Sequence, residues 1–240
     1  MVIPMTKEVF YSKLKEVEDE VIEMGNLCIT ALHAATEAFL NCDKELAEKV
    51  IKGDDVIDIR EMEIEDRCIK LIALYQPVAS DLRTILTIIK IISKLEKIGD
   101  CACKIAKITL RSKLKIRREN EIIKTMVECL EKMLKDALRA FKNRDEKLAR
   151  DVYARDKKIN KLYEQLYREM ISYILEDPRN ITMATETIFM AKYLERCGDI
   201  IASIGDRVVY MITGERIKEE EFEQKYKVKE IKYIKLEREY

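Results

Sequence analysis

The chain has no tryptophan, one histidine, three prolines and six glycines in 240 residues. So few chain breakers leave room for long helices and little for a turn-rich β fold. Cysteines at 28, 42, 68, 101, 103, 129 and 197 are odd in number and form no C-x-x-C pair. A structural zinc site therefore lacks its usual ligands, and the thiols read as small buried apolar groups of a reducing compartment. Long apolar runs are missing too. Ile85 to Ile92 is interrupted by Lys90, well short of the roughly 20 residues a bilayer needs. Met1 to Thr6 shows no basic stretch leading into an apolar core, so no signal peptide is expected. Charge of either sign is not in excess. The 45 basic and 45 acidic side chains cancel, which removes the electrostatic reason to expect nucleic acid as partner. Glutamine is scarce (Gln76, Gln165, Gln224), and the Lys/Glu-rich remainder resembles thermophile usage.

What is present is apolar residues, 48% of the chain, recurring at helical spacing almost throughout. The pattern predicts six helices, at 5–40, 44–75, 78–112, 119–142, 145–176 and 180–213. Breaks fall at Asn41-Cys42-Asp43, Gln76-Pro77, Arg117–Asn120, Asn143-Arg144-Asp145 and Asp177-Pro178-Arg179-Asn180. The halves align with each other. Asp54-x-x-Ile57-Asp58 matches Asp156-x-x-Ile159-Asn160 at an offset of 102, and Leu95–Asp100 matches Leu194–Asp199 at 99. One corner loop absorbs that difference. The expected fold is all-α, a tandem repeat of two three-helix bundles at 1–114 and 115–214. A charged tail at 215–240 follows, open to helix or strand, that docks on the bundle or on a partner.

The duplicated motifs read Leu95-Glu96-Lys97-Ile98-Gly99-Asp100 and Leu194-Glu195-Arg196-Cys197-Gly198-Asp199. Residues four apart share a helix face, roughly 5–6 Å between Cβ atoms. Each copy thus presents two like charges together, an unfavourable choice made twice. Helix two adds a stripe of Asp54, Asp58, Glu61 and Glu65. A neighbouring helix about 8–10 Å away brings such carboxylates within range of shared cations. Oxygen-only ligands favour magnesium, calcium, manganese or iron over zinc. The plainer reading of Glu96 is a surface acid paired with Lys97 or another lysine. His33, in a small-residue segment, reads as a helix-packing residue, and Cys103 as core filler rather than a sulfur ligand. Ser203, four beyond Asp199, is a further oxygen within reach. Gly99 and Gly198 each cost about 1 kcal/mol in a helix. They serve either close helix approach or space beside the aspartate. No phosphate loop, nucleophile elbow or H-E-x-x-H occurs.

The corner Pro77-Val78-Ala79-Ser80-Asp81-Leu82-Arg83, the run Ile91–Asp100, and Ala191–Asp199 with Val208–Gly214 together resemble the PhoU family of phosphate-uptake regulators, over about residues 5–214. The resemblance implies two three-helix bundles with E(D)-x-x-x-D motifs that carry metal ions, iron among them. Transferred residue by residue, the metal role falls on Glu96, Asp100, Glu195 and Asp199, then on Asp54, Asp58 and Asp156. It also implies a cytoplasmic, often dimeric regulator without catalysis. Its partners are a phosphate ABC transporter ATPase and a phosphate-sensing histidine kinase. The chain departs from the family where Cys101 and Ile200 replace a histidine after the motif aspartate. Asn160 replaces an acid, and Asn180 stands where Asp81 stands. A weaker second site is therefore expected. The alternatives are a regulator of another transporter or transcriptional circuit, a metal-dependent phosphohydrolase, and a bare helical scaffold.

Overall fold

The computed structural model describes residues 7–115 and 120–217. Six helices make up the described chain: α1 Lys7–Asn41, α2 Lys44–Tyr75, α3 Ala79–Arg111, α4 Glu121–Asn143, α5 Glu146–Glu176 and α6 Ile181–Thr213. All six lie within a few residues of the expected positions. The expected tail lies outside the described residues from 218 onward.

The first corner of each unit is built the same way. Cys42 and Arg144 take left-handed backbone, and the aspartate after each caps the next helix. Asp43 accepts from Leu46 N–H and Asp145 from Leu148 N–H, both at 2.9 Å. Such caps are worth about 1 kcal/mol each. The second corners differ. Gln76–Val78 separates α2 from α3, whereas Asp177 alone separates α5 from a short 3-10 turn at Pro178–Asn180. This is where the offset falls from 102 to 99.

Within each unit the three helices pack on one another, and the units join along α3 against α6 and α1 against α4. The apolar faces merge into one core running through both, with Met24, Leu95, Ile98, Leu130, Leu194 and Ile204 among its fully buried members. Each such side chain contributes about 1.5–3 kcal/mol. The P-V-A-S-D-L-R corner ties the first unit to the end of the second. Gly214 ends α6 with φ 81°, and Arg83 lies where a side chain there would sit, 3.0 Å from its Cβ position. Tyr11 donates to Asp81 at 3.3 Å. Asn180, the counterpart of Asp81, donates to Tyr173 O instead, at 3.2 Å. Five cysteines (28, 68, 101, 103, 197) are buried and all seven are free thiols. His33 departs from expectation. It is exposed on α1 and bonds Glu131 of α4 at 2.8 Å, because its face of α1 turns to solvent beside α4 rather than into the core.

Candidate metal centres

In each motif the leucine, the residue at 98 or 197 and the glycine are buried, which turns Glu96/Asp100 and Glu195/Asp199 toward the rim of the helix seam. The glycines settle how α2 and α5 approach. A Cβ on Gly99 would stand 3.0 Å from both Asp54 Oδ1 and Ile57 Cδ1. On Gly198 it would stand 2.9 Å from Asp156 Oδ1 and 3.2 Å from Ile159 Cγ2. The two readings of these glycines are one. The space they leave is where the neighbouring helix enters, and its aspartate occupies it.

The first face gathers Asp58, Glu61, Glu96 and Asp100, with Asp54 behind. Partial burial, then repulsion from Asp54 and Asp100, raises the Asp58 carboxyl above its usual range. Burial followed by Asp100, Glu61 and Asp58 raises Glu96, and burial followed by Glu65 raises Glu61, which Ser93 hydrogen-bonds. Counter-charge here comes from Lys104, whose Nζ lies 2.9 Å from Asp100 Oδ2, and from Lys97, which acts on Glu96 and Glu61. Cys103 stands beside Asp54. Burial and its hydrogen bond to Asp54 push the thiol up to about 12.

The second face is less acidic. At the 102 offset the stripe Asp54, Asp58, Glu61, Glu65 becomes Asp156, Asn160, Tyr163, Tyr167. Burial, then the charge of Asp199, raises Asp156 to about 6. Asn160 Nδ2 donates to Asp156 Oδ2 at 2.9 Å. The buried Asp156 Oδ1 has no donor among the described residues. Lys192 pairs with Glu195 at 2.7 Å and stacks over the Tyr163 ring at 5.3 Å. Beside this face opens a cavity of about 660 Å³ lined by Tyr153, Asp156, Asn160, Asp199, Ser203 and Arg216 among others. Ser203 stands at the counterpart of Lys104, so no lysine reaches across to Asp199 from that position. The segment after α6 closes one side: Arg216 Nε bonds Asp206 Oδ2 at 2.6 Å and Ile217 N–H bonds Asp206 Oδ1 at 3.0 Å.

The helices thus bring Glu96, Asp100, Asp54 and Asp58 to one face, and Glu195, Asp199 and Asp156 to another. Among the described residues, however, no three His, Cys, Asp or Glu side chains stand close enough together to hold a metal ion. Three partners of these acids were not singled out from sequence, Lys104, Lys192 and Asn160 as a donor, and neither was Arg216 on nearby Asp206. Lys104 and Lys192 carry the usual spacing signal, four beyond an aspartate and three before a glutamate. Nothing local announces Arg216.

The PhoU domain model matches twice, over residues 21–109 and 123–208. The chain belongs to the PhoU family. It is 41% identical over 216 residues to the phosphate-specific transport system accessory protein PhoU homolog of Aquifex aeolicus, covering 90% of this chain and 98% of that protein. Identity to the Escherichia coli accessory protein PhoU is 34%, covering 86% of each. The crystal structure of PhoU from Pseudomonas aeruginosa superposes with a TM-score of 0.80 at 33% identity, covering 86% of this chain and all of that one. That of the phosphate transport system regulatory protein PhoU from Streptococcus pneumoniae gives 0.81 at 33%, covering 87% and 99%. These relatives bear the names of transport accessory and regulatory proteins, not of enzymes, and the hydrolase alternative is dropped. No helix among the described residues is long and apolar enough to cross a membrane.

Proposed function

We propose that the chain is a non-catalytic regulator of phosphate uptake that docks on the ATPase of a phosphate ABC transporter and restrains it. The observation that carries this reading is the PhoU match over both units, each with its E-x-x-x-D motif. The same reading places the protein in the cytoplasm as a homodimer, with a phosphate-sensing histidine kinase as a second partner.

The acidic faces are read as cation sites. Glu96, Asp100, Asp54 and Asp58 hold the first, and Glu195, Asp199 and Asp156 the second. Two observations fit that role: carboxylates that burial and then mutual repulsion raise above their usual range, and a buried Asp156 oxygen without a donor. The all-oxygen donor set suits iron, manganese or magnesium better than zinc. A hard cation supplies positive charge beyond that of Lys104 and Lys192. Carboxylates must turn toward one another to share it, which opens the Lys104–Asp100 and Lys192–Glu195 pairs. Neutralised faces then form part of the docking surface.

Co-purification with the transporter ATPase tests the regulator reading. A complex that survives washing, and faster phosphate uptake when the chain is deleted from its host, are the expected results. Recovery of another transporter's ATPase, with phosphate uptake unchanged, would overturn the assignment.

A further inference from the structure

Lys94 of α3 and Arg207 of α6 lie in a part of the unit seam that the acidic faces do not use. The two helices run antiparallel there, with Ser112 donating to Glu186 at 2.9 Å and Cys101 facing Cys197. That register sets Lys94 opposite Ile204, one turn from Arg207. Lys94 is half-buried, and the charges acting on it are Arg207, Lys97 and Arg216, with Asp206 the one acid among them. Asp206 is already committed, one oxygen to Arg216 and the other to Ile217 N–H. Lys94 and Arg207 have no ion pair among the described residues, and the buried Arg207 Nε has no acceptor. Half-buried charge without a counter-ion is costly and seldom kept without a use. Packing does not require it. The internal repeat places Tyr193 and Ile108 at the counterparts of Lys94 and Arg207, so the fold fills the equivalent seam without charge.

We propose that Lys94 and Arg207, with Arg216 at the rim, bind a small oxyanion of the phosphate class at the seam between the two units. A guanidinium offers a planar fork of donors that suits two oxygens of such an anion, and the lysine ammonium adds a compact point charge. The Lys94–Arg207 pair stands apart from the acidic carboxylates, although Arg216 also lines the cavity beside the second face, and the proposal does not rest on those faces holding metal.

The test is calorimetric titration of the full-length protein with inorganic phosphate, at fixed low ionic strength against a chloride control. Saturable binding near one phosphate per chain is expected, weakened at least tenfold by Lys94→Gln and by Arg207→Gln. Without phosphate both variants should unfold at or above the parent's temperature, because a like charge is gone, so lost binding is not mistaken for lost fold. The Glu96/Asp100/Glu195/Asp199→Ala variant should bind phosphate as the parent does. Binding lost in that variant but kept in the Lys94 and Arg207 variants would mean the anion rides on metal at the acidic faces, and would overturn the proposal. So would the absence of saturable binding in the parent.

Discussion

At the scale of single residues, Asp156 concentrates the tension in the second face. Its carboxyl is raised to about 6 by burial first and by Asp199 second, against roughly 3.9 in an unfolded chain. Between those values the folded state holds more protons than the unfolded one, so stability falls as pH rises through this window and levels off above it. The raised Asp58, Glu61, Glu96 and Asp199 act in the same direction. Chelator-treated protein should therefore be more stable near pH 5 than at pH 7.5. Asp156→Asn should shrink that difference and stabilise the protein at pH 7.5 by about 1–2 kcal/mol, after allowance for solvent screening of a half-exposed group. Thermal unfolding across pH checks both. Greater stability of the parent at pH 7.5 than at pH 5 would contradict the account. The acids themselves were legible in the sequence because four-residue spacing fixes a shared face. Their rank was not. That Asp156 sits deepest depends on Gly198 and on Asn160's amide, contacts that cross between helices.

At the scale of elements, helix boundaries were legible because caps and prolines are local. The breaks at Asn41-Cys42-Asp43 and Asn143-Arg144-Asp145 fall where expected, with Asp43 and Asp145 turning out to cap α2 and α5, and Pro77 and Pro178 fall at the second corners. Helix approach was not, since it is decided by what lies opposite each small residue. Gly53 and Gly205 illustrate the difference. A Cβ on the exposed Gly53 meets nothing within 4 Å, whereas on Gly205 it would stand 2.7 Å from the Ala149 carbonyl oxygen. Gly53→Ala should stabilise by about 0.5–1 kcal/mol through helix propensity alone. Gly205→Ala should destabilise by about 1–3 kcal/mol as α5 and α6 are forced apart. Urea midpoints at unchanged slope read both shifts. A neutral Gly205→Ala would mean the α5–α6 seam is looser than described. His33 shows the limit from the other side. A small-residue neighbourhood suggested packing, yet which face of α1 meets α4 places it in solvent beside Glu131.

At the scale of the whole molecule, the duplication yields two units that share an architecture but not a charge pattern. One core crosses the α3–α6 and α1–α4 seams, so the units should unfold together, as a single calorimetric transition. Two separated transitions would show that the seams contribute little. The charge patterns diverge because Asn160, Tyr163 and Tyr167 replace acids of the first stripe, and the first face should accordingly carry the larger share of bound cation. The most direct measurement is elemental analysis of untagged protein beside the Glu96/Asp100/Glu195/Asp199→Ala variant, both folded by circular dichroism. Iron, manganese or magnesium in the parent, lost in a still-helical variant, is the predicted result. Equal, negligible metal in both after supplementation would contradict the cation-site account and leave the paired carboxylates as solvated helix faces.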